Sequence, residues 1–137
     1  MPRKFDAASL QVERFDQSAG FGSPYKLLAA IAFPNLLKAA QTTAHNQTRV
    51  NEARIACALE GYRLVHGDYP ETLDALLPQF IEKLPPDIIG GGPLQYRRTV
   101  GDNFLLYSLG WNGVDDGGTP ANDWFDWKGD WVWSGPI

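Results

Sequence analysis

Apolar positions follow a helical period in the first half of this chain and a strand period in the second. From residue 25 to 66, Ala, Leu, Lys, Gln and Arg dominate, residues a helix accepts at low cost. Ile55, Leu59, Tyr62 and Val65 or His66 recur on one helical face. The pattern predicts one long helix over 25–66, stopped by Gly67, which takes the left-handed conformation cheaply. Pro34 lacks an N–H and is expected to kink or interrupt that helix near Ala30 to Phe33. The stretch Gln41 to Arg49 is almost wholly polar and is expected to project into water or pack weakly.

Tyr69 to Leu77 reads as a short second helix. Pro70 suits its first turn, and Glu71 and Asp74 complement the positive end of its dipole. Leu73, Leu76, Leu77 and Phe80 are expected to face the core. Gly90-Gly-Gly-Pro93 is a turn, and beyond it the period changes. Leu94 to Arg98 alternates apolar and polar, and Asn103 to Ser108 is rich in strand formers. Val100-Gly-Asp-Asn103 between them signals a hairpin. Trp131-Val-Trp133 reads as a last short strand, with both tryptophans on one face. A long helix, a short helix and then a small antiparallel sheet define an α+β domain, with the helix against one sheet face.

Composition narrows the function classes. At 137 residues the chain has room for one domain of ordinary size. The net charge of −4 and the absence of a basic run argue against a nucleic-acid surface. The single cysteine, Cys57, excludes an internal disulfide and any cysteine-based zinc site. The best apolar run, Leu27 to Leu37, is interrupted by Pro34 and Asn35 and is too short to span a bilayer. Residues 1–23 lack the apolar core of a secretory signal and read as a weakly ordered leader, in which Leu10, Val12 and Phe15 could pack. The expected organisation is this leader followed by one domain over 24–137. The chain as written reads as soluble and unexported, meeting a membrane only through a partner or a missing segment.

Candidate chemistry concentrates in the tail. All five tryptophans lie between Trp111 and Trp133, together with Asp115, Asp116, Asp123, Asp126, Asp130, Asn112 and Asn122, against one cation, Lys128. Hard oxygen ligands on a glycine-rich loop suit Ca²⁺, which takes ~6–8 oxygens in a flexible shell. The alternative is a solvated loop in which Asp and Asn serve as turn formers. A hydrolase dyad of Asp115 and Asp116 is disfavoured, because adjacent loop residues seldom aim at one substrate, and the chain reads as non-enzymatic. Trp111, Trp124 and Trp127 could form a carbohydrate- or protein-binding surface, although most of the tryptophans are expected to fill the core. Cys57 is expected to be a buried inert thiol, His45 to be exposed, and His66 to interact with the carbonyl end of the helix.

The order His66-Gly-Asp-Tyr-Pro70, Leu73-Asp-Ala-Leu76, Leu84-Pro-Pro-Asp87, Pro93-Leu-Gln-Tyr96 and Tyr107-Ser-Leu-Gly110 resembles the globular domain of the major pseudopilin of type II secretion. More broadly it is similar to type IV pilin-like proteins. Leu28 to Leu36 also looks like the end of the pilin amino-terminal helix, so the resemblance covers roughly residues 27–133. It implies a pilin fold, self-association or contact with other pilin-like subunits, a cell-envelope setting and a calcium loop after Tyr107 to Gly110. Carried over by position, Leu109 would give a carbonyl, Asn112 would stand where the family has Asp, and Asp130 would be the late carboxylate. Asp115 and Asp116 fall in the family's acidic turn. Trp124 to Trp127 looks like an insertion, which keeps Asp123 and Asp126 as candidates. The amino terminus departs from the family: Gly20-Phe21 matches its cleavage point, but Tyr25 replaces the expected Glu and Pro24 would break the helix.

Overall fold

The computed structural model describes residues 24–133. The expected leader and the packing of Leu10, Val12 and Phe15 lie outside the described residues. The chain divides after Thr42 into two units, so that the described residues 24–42 fall in the first and 43–133 in the second. One helix, α1 (Pro24–His66), runs from the first into the second. It is not interrupted at Pro34, contrary to one of the two outcomes expected there. One turn of lost hydrogen bonding is tolerable within a helix of 43 residues, and the Asn35 amide adds a bond to the Ile31 carbonyl at 3.1 Å. Gly67 ends the helix as expected, at φ +90 with its N–H on the Arg63 carbonyl. None of the helices among the described residues is long and apolar enough to cross a membrane.

In the second unit, β1 (Gln95–Thr99), β2 (Asn103–Ser108) and β3 (Trp131–Val132) form an antiparallel sheet in the order β1-β2-β3. The fold is therefore α+β. Gly101 and Asp102 both take positive φ in the hairpin turn, which matches the right-handed twist of the strands it joins. The register sets Gln95 opposite Tyr107 and Ser108 opposite Trp131. Ile55, Ala58 and Leu59 of α1 pack with Tyr69, Leu73, Leu76, Ile81, Leu94 and Leu106, and Tyr62, Phe80, Tyr96 and Phe104 pack against this cluster. Trp131 is buried and Trp133 packs partly against the core, so their shared face does point inward.

Four expectations need correction. The segment after Pro70 forms a 3₁₀ turn, Leu73–Leu76, held by i→i+3 bonds from Ala75 to Thr72 and from Leu77 to Asp74. Three residues per turn keep Leu73 and Leu76 inward and swing Leu77 to the surface. Cys57 is exposed, because it points away from the face that carries Ile55 and Leu59. His45 is half-buried, wedged between two tryptophans. The polar stretch of α1 is not wholly solvated: Thr48, like Asn51 and Glu52 just beyond it, is buried.

Candidate functional site

The acidic loop leaves β2 at Leu109 and returns at Asp130, and its carboxylates are tied mainly to backbone N–H groups. Asp130 is buried, and its carboxylate accepts the Gly118 N–H at 2.7 Å and the Asp116 N–H at 3.4 Å. Asp116 accepts the Gly129 N–H at 3.1 Å and the Asn112 amide at 3.0 Å. The two residues thus stitch the start of the loop to its end. Asp115 takes the Tyr107 hydroxyl at 2.9 Å and the Gly117 N–H at 2.8 Å. Asn112 closes its own turn by accepting the Val114 N–H. Burial raises the pKa of the Asp130 carboxyl, and the Asp116 and Asp115 charges add to this against the Gly118 and Asp116 amides.

Asp115, Asp116 and Asp130 therefore share one field. Asp126 is bonded elsewhere, accepting from the Lys128 N–H at 3.1 Å and the Asn122 amide at 3.4 Å in a separate turn. Leu109 is fixed through its N–H, which donates to Asp87 at 3.0 Å. Among the described residues, no three His, Cys, Asp or Glu side chains are assembled as a metal-holding group. Carboxylate oxygens are the kind of hard donor that Ca²⁺ takes, and the Asp115 and Asp116 residues that carry two of these carboxylates are exposed.

The aromatic residues are largely engaged with one another. Trp111 is buried, donates to the Trp124 carbonyl at 2.7 Å and meets Trp131 edge-on. Trp124 lies between His45, stacked at 4.9 Å, and Phe125 at 3.5 Å. Trp127 is the exposed member, at 48%. A cavity of about 260 Å³ opens beside His45, Arg49, Trp124, Asp130 and Trp131. Burial lowers the His45 pKa, helped by the Arg49 charge and opposed by Asp123, so the neutral imidazole is favoured there.

A second polar cluster, not foreseen from the sequence, joins α1 to the end of β2. Asp87 is buried and accepts from the Ser108 hydroxyl at 2.8 Å and from the Leu109 and Ile89 N–H groups, each at 3.0 Å. The Asn51 amide donates to the Pro86 carbonyl, and Arg49 donates to Glu52 and to the Val132 carbonyl. These residues hold Ser108 and Leu109, where the acidic loop begins. The sequence carries no local signal for them, because a buried Glu or Asp has the same spacing as a solvated one.

Compared with known proteins, the chain matches no family model, no curated protein and no solved structure.

Proposed function

We propose that this chain is a non-enzymatic, pseudopilin-like assembly domain whose carboxy-terminal loop is stabilised by Ca²⁺. The observation that carries the reading is the meeting of Asp116 and Asp130 across the loop, with Asp115 beside them, directly after the Tyr107 to Gly110 motif. Asp115, Asp116 and Asp130 would hold the ion, with Asn112 and the Leu109 carbonyl as the positions the resemblance adds. When bound, the ion supplies positive charge that offsets the mutual repulsion of the carboxylates. The chain's own part is to bring the two ends of the loop together so that Trp131 and Val132 pair with β2. Assembly is supported by the apolar side chains exposed on the first part of α1, Leu28, Ile31 and Leu36 among them. Large apolar side chains left exposed close together in sequence are candidates for contact with a partner.

Thermal unfolding in EDTA, in millimolar Ca²⁺ and in Mg²⁺ tests the loop. Free Ca²⁺ at a hundred times its dissociation constant is expected to add about 2.7 kcal/mol, roughly 10 °C in Tm for a domain of this size. Asp130→Asn is expected to remove the Ca²⁺-specific rise, whatever its effect on the baseline. An equal response to Ca²⁺ and Mg²⁺, or none, sinks the ion assignment. Sedimentation of the same samples tests assembly separately: a monomer at every concentration in Ca²⁺ counts against it.

A further inference from the structure

The acidic loop leaves unused the most deeply buried acid among the described residues. Glu52 is fully buried on α1, one turn from buried Thr48 and beside buried Asn51. Its Oε2 accepts from Arg49 Nη1 at 3.1 Å. Its Oε1 is buried and, among the described residues, has no hydrogen-bond partner. The groups that face it come from each element packed around it: Arg49 on the same helix, Asp87 from the segment before β1, and the Ser108 backbone amide from β2.

The charges in this cluster do not balance. Glu52 and Asp87 are two buried carboxyls, and Arg49 is one cation, with its side chain 36% exposed. Asp87 is the better solvated by the protein, since three donors converge on it. Glu52 has the worse environment, and Arg49 divides its donors between Glu52 and the Val132 carbonyl while lying 5.6 Å from the centre of the Trp133 ring. A buried charge without full compensation is removed most cheaply by taking a proton.

We propose that Glu52 is a proton-operated latch: with a proton on its carboxyl the joint between α1, Ser108 and Val132 is closed, and ionisation strains it. The proton comes from solvent and bonds to the unpartnered Oε1, while Oε2 keeps Arg49. This removes the repulsion between Glu52 and Asp87 and leaves the Asp87 carboxylate with its three donors. Burial is the main force that pushes the Glu52 pKa up to about 7, with Asp87 adding to it, while Arg49 and the Ser108 amide pull it down. A carboxyl raised in the folded state gives its full stability below the unfolded pKa and loses it as pH rises through the folded pKa. The window here runs from the ordinary value of 4.5 up to about 7. The latch does not depend on an ion in the acidic loop, and it would link the helix–sheet joint to pH near neutrality.

The test compares the full chain with Glu52→Gln, which keeps shape and removes the titration, by urea unfolding from pH 4.5 to 8.5 in EDTA. The unfolding constant of the unmodified chain is expected to rise by about a hundredfold more than that of the variant across the window. The two are expected to be alike at the acid end. A variant that is weaker at every pH, with a gap that widens as pH rises, would mean that ionised Glu52 stabilises the joint through Arg49, and would overturn the proposal. Should the variant fail to fold, the carboxyl carbon shift of Glu52 in the unmodified chain decides the matter. Titration near neutrality supports the latch, and titration below pH 5 rejects it.

Discussion

Gly129→Ala is expected to destabilise the second unit by about 3–5 kcal/mol, adding the left-handed backbone cost of an L-residue to the cost of overpacking. Gly129 has φ +90, and a Cβ there would lie 2.7 Å from both the N and the Cα of Ala121 and 3.0 Å from the Pro120 carbonyl carbon. The obstructing atoms are backbone and have little room to yield. The Ala121 N–H is held by the Asp130 carbonyl at 3.0 Å, and the Asp130 N–H by the Thr119 carbonyl at 2.8 Å. The substitution must therefore break the stitching that returns the loop to β3. Urea unfolding followed by tryptophan emission is the measurement, since every tryptophan lies in this region. Gly91→Ala is the control, at φ +72 with nothing within 4 Å of the added carbon. It is expected to lose only about 1–2 kcal/mol. Equal losses at the two positions would show that the close approach at Ala121 has no energetic weight.

Leu59→Ala is expected to cost about 3–4 kcal/mol, the transfer of the lost methyl groups plus the cavity they leave. Leu59 is fully buried and belongs to the cluster that joins α1 to Leu76 of the 3₁₀ turn and to Leu106 of β2. Both partners are themselves fully buried, so the space has few flexible neighbours to refill it. Such a loss is a large part of the total of about 5–15 kcal/mol typical of a domain. Leu64→Ala, on the same helix but 76% exposed, is expected to change stability by less than about 0.5 kcal/mol. Chemical denaturation of the two variants side by side checks the contrast. A loss below 1 kcal/mol at Leu59 would mean that α1 does not anchor the sheet through this residue.

The apolar half of the fold was legible because burial of apolar side chains imposes a period. Ile55, Leu59 and Tyr62 announced the inner face of α1, and the alternation around Tyr96 with the Gly101-Asp102 turn announced the hairpin. Leu77 lies at the surface because its segment turns every three residues, whereas the 3.6-residue period of an α-helix places it inward. Cys57, between two buried alanines, lies about half a turn from Ile55 and Leu59; the helical period places it outward, whereas its apolar neighbours suggest burial. The polar joint was not legible at all. Thr48, Asn51, Glu52 and Asp87 are buried only because partners from distant parts of the chain meet them, and no local period records that meeting. The acidic loop falls between these cases: its residues were visible as a cluster, whereas the pairing of Asp116 with Asp130 and the separate bonding of Asp126 depend on how the turns close.

The outward orientation of Cys57 has a practical consequence. It is the chain's one thiol, it sits on α1 opposite the residues that face the sheet, and all the indoles lie between residues 111 and 133. A thiol-reactive acceptor dye placed there leaves the core side chains untouched and is excited by energy transfer from the indoles. The molecule therefore carries a built-in optical ruler from its helix to its carboxy-terminal loop, and the separation of the two can be followed in solution without introducing a second label.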